Sequence, residues 1–363
     1  MFISSLHTVF FRNLADADVS TNSKDVFLVG KNGQGKTNFL EALYFCAYAS
    51  SFRGVRDGEL ARNGEKDFSA SIKTAGAAGG EVQIKFEKGK KNIFIDGKKA
   101  EDRKDLLQAV PCIVFCHEDM EFISGSPERR RWFFDQVLSL YDPVYLDDLR
   151  RYRRVLKTRN SLLRDCVSRR FAGNSDAVLD ALDPQLVNYG VNLMEKRETA
   201  AHLFSDVFGR LYREVCGISG ITVRYIPSWK EAAMENVFSV LRERRAADMA
   251  SGVSMSGPHR DRYVISLNGT EFTGKASTGQ RRLLALLLRV AQFRRFSEAT
   301  GKKPVLLLDD VLLEMDGEKR RRFLSVLPGY EQAFYTFLPE EPYENYRNTN
   351  TLVYYVNDGQ FSQ

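Results

Sequence analysis

The sequence predicts an α/β fold that is interrupted by a helical insertion. Residues 26–30 (VFLVG) form a short apolar segment, followed by a glycine-rich loop and an apolar run with helical spacing. Two apolar stripes with helical spacing then extend over residues 144–207. Residues 304–310 (PVLLLDD) return to the character of a buried strand. The predicted domains are a head formed by residues 1–125 with 250–363, and an inserted α-helical hairpin arm at residues 126–249.

Length and charge agree with a folded protein that has an acidic partner. The 363 residues are 43% hydrophobic, which is enough to bury a full core. The net charge of +6 is concentrated in residues 126–170, which carry twelve Arg or Lys against six Asp or Glu. We therefore expect the arm to be the place where an acidic partner binds, although Arg-rich helices are often only solvated.

The first residues, MFISSLHTVFFRN, lack the basic and continuous apolar regions of a signal peptide. No segment approaches the roughly 20 apolar residues of a membrane span, so a cytoplasmic protein without a membrane partner is expected. Five scattered Cys do not indicate a disulfide framework. Cys112, Cys116 and His117 could form a metal cluster, but their apolar surroundings (VPCIVFC) favour a buried strand.

Turn and cap signals place the remaining elements in order. Hairpins are predicted at Lys88–Lys91, at Asp96–Gly97 and at Asn268–Gly269. Ser126 followed by Pro127 is typical of a helix start. Helices are predicted at residues 281–296 and 319–327, and late strands at residues 332–337 and 351–356.

The arm is predicted to consist of two long antiparallel helices. The first helix is predicted to be about 25 residues and roughly 37 Å long. Its apolar seam consists of Tyr145, Leu149, Tyr152, Leu156 and Leu163. Arg159 is the only residue that breaks this seam. Asp183–Pro184 is predicted to start the second helix. Its apolar stripe consists of Leu186, Tyr189, Leu193, Ala200, Leu203 and Val207. Lys196 is the exception at this spacing.

The glycine-rich loop has the pattern G-x-x-x-x-G-K-[ST] of a P-loop, which cradles nucleotide phosphates with backbone N–H groups. The predicted ATP-binding residues are Gly30, Lys31, Asn32, Gly33, Gln34, Gly35, Lys36 and Thr37. Lys36 is expected to reach the β and γ phosphates and to take part in catalysis, and the Thr37 hydroxyl to hold Mg²⁺.

Two acids follow the apolar segment Val305–Leu308, at the end of a strand where ligands bind in α/β sheets. Asp309 suits Mg²⁺, bound through water. Asp310 is the candidate catalytic residue that orients or deprotonates the attacking water. Alone this pattern is weak, but together with a P-loop it predicts a nucleotide site.

A third segment, Ser277–Gln280, opens the helix about 25 residues before these acids. Ser277, Gly279 and Gln280 are predicted to bind an anion of the nucleotide, because a helix N-terminus attracts anions. When these residues are considered alone, an ordinary N-cap is the better explanation. The order of P-loop, insertion, S-x-G-Q helix, paired acids and finally Glu314–Asp316 favours the phosphate-binding interpretation.

That order resembles the ABC-type ATPases, in which the S-x-G-Q helix caps the γ-phosphate bound to the partner subunit. Six segments are specifically similar to the RecF family of bacterial recombination mediators: GKNGQGKTNFLEALY, ISGSPERRRWFFDQ, YRRVLKTRNSLL, SGPHRDRYVISLNG, STGQRRLLALLL and PVLLLDDVLLEMD. The resemblance implies a DNA repair and replication protein that dimerises with ATP on DNA at single-stranded gaps or junctions. It further implies that RecR and RecO are partners in recombinase loading, and that a weak, DNA-stimulated ATPase acts as a switch.

Several positions depart from the family patterns. The segment Leu313–Asp316 lacks the Ser of Ser-Glu-Leu-Asp, and Tyr335–Phe337 replaces the switch His of transporter ATPases. His117–Asp119 stands where transporters have the Q-loop Gln, so the role of Glu118 or Asp119 stays open. Arg53 and Arg56 could approach phosphate, DNA or only solvent, and His259–Arg260 could belong to the site or only to a turn. The alternative functions are an ATPase subunit of a transporter and a non-hydrolysing nucleotide-gated scaffold.

Overall fold

The computed structural model describes residues 2–76, 79–102, 104–168, 170, 173–230, 233–311 and 317–363. Its strands are β1 (Phe2–Val9), β2 (Ala17–Ser20), β3 (Asp25–Val29), β4 (Phe68–Ala75), β5 (Glu81–Glu87), β6 (Lys90–Ile95), β7 (Lys98–Lys99), β8 (Cys112–Phe115), β9 (Ile221–Ile226), β10 (Arg262–Leu267), β11 (Thr270–Glu271), β12 (Val305–Leu308), β13 (Ala333–Phe337), β14 (Thr351–Asn357) and β15 (Gln360–Ser362). Its α-helices are α1 (Lys36–Tyr48), α2 (Lys104–Ala109), α3 (Glu121–Ser124), α4 (Pro127–Tyr141), α5 (Pro143–Val167), α6 (Ser175–Cys216), α7 (Met234–Ser251), α8 (Thr278–Thr300) and α9 (Gly317–Val326). Across these described residues, none of the helices has the length and apolar character needed to cross a membrane.

The chain divides into two compact units, Met1–Asp119 with Phe293–Gln363, and Met120–Gln292. This division differs from the predicted domains mainly in residues 250–292, which join the second unit. One reason is that β10 pairs along its whole length with β9, in antiparallel register. The predicted boundaries, 1–125 with 250–363 and 126–249, stay a prediction.

The first unit contains a six-stranded sheet in the order β15-β14-β3-β13-β12-β8. All its pairs are parallel except the edge pair β14–β15. Strands β3, β8, β12 and β13 are buried at every position, as expected for parallel strands that are covered on both faces. The predicted buried strand around Cys112 is thereby confirmed. Because parallel strands end at a common edge, the segments that follow β3, β12 and β13 meet there.

A second sheet of the same unit is antiparallel, in the order β2-β1-β4-β5-β6-β7. The predicted hairpins are confirmed, because β5 pairs with β6 around Lys88–Gly89 and β6 pairs with β7 around Asp96–Gly97. All four turn residues have positive φ, between 51° and 74°, which is typical of two-residue hairpin turns.

The second unit contains the predicted antiparallel helix pair, α5 and α6. Three contacts show that the helices are antiparallel, because their positions advance along α5 while they go back along α6: Asp142 with Lys196, Asp148 with Asn192, and Arg159 with Asp183. The predicted cap is also present, because the Ser126 hydroxyl accepts a hydrogen bond from the Arg129 N–H at the start of α4. The predicted Asn268–Gly269 hairpin joins β10 to β11.

The predicted start of the second arm helix at Asp183–Pro184 is wrong. Helix α6 begins nine residues earlier, with Asn174 as its N-cap, and Pro184 lies inside it. The Asp183 side chain does not cap the helix, because it accepts a hydrogen bond from the buried Arg159. Leu203 is also misassigned to the apolar stripe, since it is 43% exposed while the neighbouring Phe204 is buried. Over such a length, the 3.6-residue period of the helix moves the buried face away from a strict 3–4 spacing.

Candidate nucleotide-binding site

The P-loop lies between the buried strand β3 and helix α1, as the motif predicts. Gly33 and Gly35 have φ of 80° and 116°, values that side chains with a Cβ rarely adopt. A Cβ on Gly30 would lie only 2.5 Å from the Val356 carbonyl oxygen. The three glycines therefore allow the loop to turn tightly against β14 and to direct backbone N–H groups toward one centre.

The loop is supported by residues distant in sequence. The Asn13 amide donates a hydrogen bond to the Gly33 carbonyl at 3.2 Å. The turn between β14 and β15 donates two more, from the Asp358 N–H to Gln34 Oε1 at 2.7 Å and from the Gly359 N–H to the Gln34 carbonyl at 2.8 Å. Gly359 packs so closely that a Cβ there would overlap the Asn13 carbonyl oxygen. The Gln34 side chain thus binds the C-terminal hairpin.

Lys36 is almost fully buried, and its ammonium donates to the carbonyl oxygens of Gly30 at 2.5 Å and Lys31 at 3.1 Å. Burial lowers the pKa of Lys36, while the carboxylates of Asp310 and Asp309 oppose this effect. A cation held by carbonyl dipoles alone is well suited to exchange them for phosphate oxygens.

Thr37 and Asp309, 272 residues apart, are joined by a hydrogen bond of 2.8 Å from the Thr37 hydroxyl to Asp309 Oδ1. Burial, together with the charge of the neighbouring Asp310, raises the pKa of Asp309 to about 7. A hydroxyl and a carboxylate at this separation supply the hard oxygen ligands that Mg²⁺ prefers. The two residues therefore fit the metal role predicted for them.

Asp310, the candidate catalytic residue, has φ of 51° and is the second residue after β12. Thr336, at the end of the neighbouring strand β13, donates its hydroxyl to Asp310 Oδ1 at 2.8 Å and accepts the Asp310 N–H at 2.7 Å. The Thr336 hydroxyl is also 3.4 Å from Asp309 Oδ1. The sequence interpretation missed Thr336 as a site residue, and its only signal was a polar residue ending an apolar strand.

Arg53 also belongs to this site. It helps to line a cavity of about 280 Å³ together with Asn32, Lys36, Thr37 and Asp310. Its guanidinium is held by Asn38 Oδ1 at 3.1 Å and by the fully buried Glu41 at 3.6 Å, and its charge lowers the pKa of Asp309. The structure thus places Arg53 beside the predicted phosphate site, whereas Arg56 precedes a one-turn 3₁₀ helix at Asp57–Leu60.

The segment in place of the Q-loop forms a one-turn 3₁₀ helix, His117–Met120. Asp119 is buried and accepts the backbone N–H of Cys116 at 3.1 Å, so it stabilises the turn. Glu118 is half-buried, and its charge contributes to the raised pKa of Asp309. Of the two acids, Glu118 is therefore the one that faces the metal side of the site.

The start of α8 presents the S-x-G-Q residues to solvent. The Ser277 hydroxyl accepts the Gln280 N–H at 3.2 Å, and Gln280 Oε1 accepts the Ser277 N–H at 2.8 Å, which is a capping box. Residues 277–280 are all exposed, and nothing lies within 4 Å of a Cβ on Gly279. The cap forms as an ordinary N-cap would, and the surface above it is open to a ligand or a partner.

Two other predicted positions lie apart from these contacts. His259 is bonded through Nδ1 to the Tyr152 hydroxyl at 2.7 Å and through Nε2 to the Ser254 carbonyl at 3.0 Å, within the second unit. Arg260 reaches the same carbonyl at 3.4 Å. The segment Glu314–Asp316 lies outside the described residues.

Solved structures of known proteins share this fold. The structure titled as the recombination mediator protein RecF-ATP in the RecFOR pathway aligns with a TM-score of 0.89 at 27% identity, covering 99% of this chain and 97% of that one. The Smc head domain of Pyrococcus furiosus aligns with a TM-score of 0.54 at 16% identity, a likeness of fold alone. The fold and the P-loop with its paired acids define the class of this protein as an ABC-type ATPase head of the RecF and SMC group.

Similar sequences identify the family within this class. The family model described as RecF/RecN/SMC N terminal domain matches residues 2–361. The DNA replication and repair protein RecF of Treponema pallidum is 43% identical over 353 residues, covering 96% of this chain and 97% of the relative. RecF of Halalkalibacterium halodurans is 30% identical over 374 residues, covering both proteins completely. The chain belongs to the RecF family of DNA replication and repair proteins.

Proposed function

We propose that this chain is an ATP-dependent DNA-binding recombination mediator whose ATP and Mg²⁺ site is completed by a second copy of the chain. The observation that carries the proposal is the 2.8 Å hydrogen bond between Thr37 and Asp309, which brings the P-loop and the paired acids into one site. In this proposal Thr37 and Asp309 hold the metal, with Asp309 acting through water. Lys36 binds the β and γ phosphates, and the backbone of Gly30–Gly35 cradles them.

The same proposal gives Asp310 the role of orienting or deprotonating the attacking water. Thr336 would position the Asp310 carboxylate through the 2.8 Å hydrogen bond between them. Asp310 is one methylene shorter than the Glu of fast transport ATPases, so we expect weak positioning of water and slow turnover. Hydrolysis would then serve as a switch, stimulated by DNA.

The DNA part of the proposal rests on the family and on the arm's excess of Arg and Lys. Backbone phosphate contacts would bind DNA without reading its sequence. The partners proposed are single-stranded DNA or single/double-strand junctions, together with RecR and RecO, which would assist in loading recombinase. The RecFOR pathway named for the solved relative supports these partners.

Mixing two inactive variants tests the shared site. Ser277→Arg keeps its P-loop and should bind ATP, yet it should neither dimerise with ATP nor hydrolyse it, because the bulky side chain blocks the exposed S-x-G-Q surface. Asp310→Asn keeps that surface but lacks the catalytic carboxylate. In a mixed dimer, the P-loop of the first variant meets the intact Ser277 of the second, and one complete site is restored. Phosphate release should therefore recover partially on mixing, provided that one closed site holds the dimer.

The control variant is Ser277→Ala, which removes the cap at a cost of about 1 kcal/mol but adds no bulk. It should still dimerise with ATP. No recovery at any mixing ratio, with heterodimers verified independently, would contradict the shared site and favour a self-contained monomeric ATPase.

A second candidate, a non-hydrolysing nucleotide-gated scaffold, is favoured by one observation. The Asp310 carboxylate already accepts a hydrogen bond from the Thr336 hydroxyl at 2.8 Å, so one of its oxygens is engaged by the protein and not by an attacking water. Steady-state phosphate release separates the two candidates, because a scaffold releases none with DNA and ATP present. A transporter subunit is disfavoured, since this chain has Tyr335–Phe337 where transporter ATPases have their switch His.

A further inference from the structure

We infer that the second unit contains a stacking site for one unpaired nucleotide of DNA, in which Trp132 is the platform for the base and Arg131 and Arg153 bind the phosphate. The inference rests on the proposed DNA function and specifies the strand that this site would select. The site is a cavity of about 230 Å³ whose lining includes Trp132, Tyr152, His259 and three arginines. It lies outside the nucleotide site, within residues 120–292.

Trp132 is unusual among the large apolar side chains of helix α4. It is 38% exposed, although the Phe residues that follow it, 133 and 134, are buried. On one side the indole is supported by the buried Phe122 ring, with centroids 5.9 Å apart and planes 27° from parallel. A rigid, half-exposed ring with a supported back is the arrangement on which bases of single strands stack.

The charges of the cavity favour an anion beside that ring. Its lining carries three guanidinium groups, of Arg131, Arg153 and Arg197, against the carboxylates of Asp135 and Glu128. Asp135 is bonded to Arg197 at 2.7 Å and to Arg153 at 3.0 Å, so its charge is compensated. The lining therefore carries one more positive than negative group, and Arg197 is in addition paired with the buried Asp261 at 2.8 Å, so Arg131 and Arg153 are the cations that remain for an anion.

Of the three arginines, Arg131 is the best placed to bind a phosphate group. Its guanidinium donates to the Asp261 carbonyl oxygen at 2.6 Å, an uncharged acceptor. Burial and the nearby Arg197 charge lower the pKa of Arg131, and the surrounding carboxylates, of Glu128, Asp261 and Asp135, only partly oppose this effect. A phosphate oxygen would stabilise the charged guanidinium in this position.

The floor of the cavity is polar and uncharged. His259 is bonded to the Tyr152 hydroxyl at 2.7 Å, and burial lowers the pKa of His259 to about 4. At neutral pH the imidazole therefore carries no charge, and the arginines alone attract the phosphate.

Geometry favours an unpaired nucleotide over duplex DNA. The bases of a duplex are stacked on each other and do not expose a face to an indole, whereas every unpaired base does. An exposed Trp near Arg residues could also be an anchor for a protein partner. The excess of Arg in the cavity and the net charge of residues 126–170 favour nucleic acid.

The two tryptophans of the chain make a direct test possible, because Trp132 is 38% exposed and Trp229 only 2%. An oligothymidylate of about ten nucleotides, within the usual range of single-strand site sizes, should quench the indole emission of the full-length protein. An abasic oligomer with the same sugar–phosphate backbone should quench it little. In Trp132→Phe the quenching by oligothymidylate should disappear, since only the buried Trp229 remains.

Affinity provides the second measurement. Trp132→Ala should weaken binding of the oligothymidylate about tenfold, the effect of losing one stacked base, while duplex affinity with ATP stays unchanged. Trp132→Phe should retain most of the affinity. The matched control is Val144→Ala, another exposed apolar residue of the same unit, which should change neither.

The outcomes separate this inference from the proposed function. Equal quenching by the abasic oligomer, or unchanged oligothymidylate affinity in Trp132→Ala, overturns the stacking site while duplex binding leaves the proposed function intact. The same two results are expected if Trp132 is an anchor for a protein partner and not a platform for a base. A wild-type protein that binds neither duplex nor single strand with ATP overturns both.

Discussion

Charged groups are buried in both units, but the two units treat them differently. In the second unit, Arg159 is fully buried and bonds Asp183 and Asp248, each at 2.8 Å. Arg197 joins Asp135 at 2.7 Å and Asp261 at 2.8 Å in the same way. Burial alone would lower the pKa of Arg197, but Asp135 raises it well above the usual value. Here opposite charges satisfy each other inside the protein.

In the nucleotide site, Lys36 and Asp309 are held by uncharged groups, whereas Arg53 is paired with the fully buried Glu41. Asp309 is bonded to hydroxyl groups, and its pKa is raised to about 7 by burial and by Asp310. Lys36 donates to backbone carbonyls. The contrast indicates that the arginines of the second unit maintain structure, while the charges at the P-loop are arranged for ligands that bring their own charge. Substitutions should therefore affect stability in one unit and binding in the other.

The largest expected effect is on stability in the second unit. Arg159→Met should lower the free energy of unfolding by about 3 to 5 kcal/mol, because buried carboxylates lose their partner. Urea denaturation measures it. The control is Arg347→Met, which breaks an exposed pair with Glu344 and should cost less than about 0.5 kcal/mol. Equal losses of unfolding free energy in the two variants would contradict a structural role for the buried arginines of the second unit.

Lys36→Met should have the opposite profile. We expect ATP affinity to fall roughly 10- to 150-fold, the value of a hydrogen bond to a charged group, while the unfolding midpoint changes little. Nucleotide titration and thermal unfolding of the same preparation measure both. Unchanged ATP affinity in a folded variant would contradict the P-loop assignment.

Asp309→Asn should stabilise the nucleotide-free protein while impairing Mg²⁺-dependent ATP binding. The substitution removes a carboxylate whose ionisation is opposed by burial and by Asp310. We expect an increase of about 1 kcal/mol, or roughly 2 °C in Tm. A loss of stability would show that Asp309 is a structural acid like those of the second unit.

The smallest effect is expected for the exposed cations of helix α5. The variant neutralises Arg150, Arg153, Arg154 and Lys157, which share one helical face. Each lost phosphate contact should reduce the slope of log affinity against log salt by about 0.9 on duplex DNA.

The matched control has the same change of charge in the first unit, and neutralises the exposed Lys88, Lys90, Lys98 and Lys99. An unchanged slope in the α5 variant and a reduced slope in this control would move the DNA surface to the first unit.

The sequence predicted those parts of the molecule that depend on local patterns. The glycine loop, the buried strands and the Ser126 cap each carry their signal within a few residues, and each is found. The proximity of Thr37 and Asp309 followed from motif order. Their roles, and those of the other assigned site residues, stay predictions.

What the sequence did not predict depends on partners that are distant along the chain. Arg159 was a break in an apolar seam, and only the fold brings Asp183 and Asp248 to it. Asp183–Pro184 has the local pattern of a helix start, but tertiary packing continues α6 through it. Thr336 is one hydroxyl at a strand end, and its importance arises because β13 lies beside β12.

The strand that leads into the P-loop pairs with two strands that come about 300 residues later in the sequence. Strand β3 pairs with β13 on one side and β14 on the other, and Gln34 is bonded by Asp358 and Gly359. During synthesis, β3 leaves the ribosome about 300 residues before β13 does. At 5 to 20 residues per second, that interval is roughly 15 to 60 seconds. During that interval a nascent chain carries a phosphate loop without these supports, and the loop can be held in its final position only after β13, β14 and the turn at Asp358–Gly359 have been made.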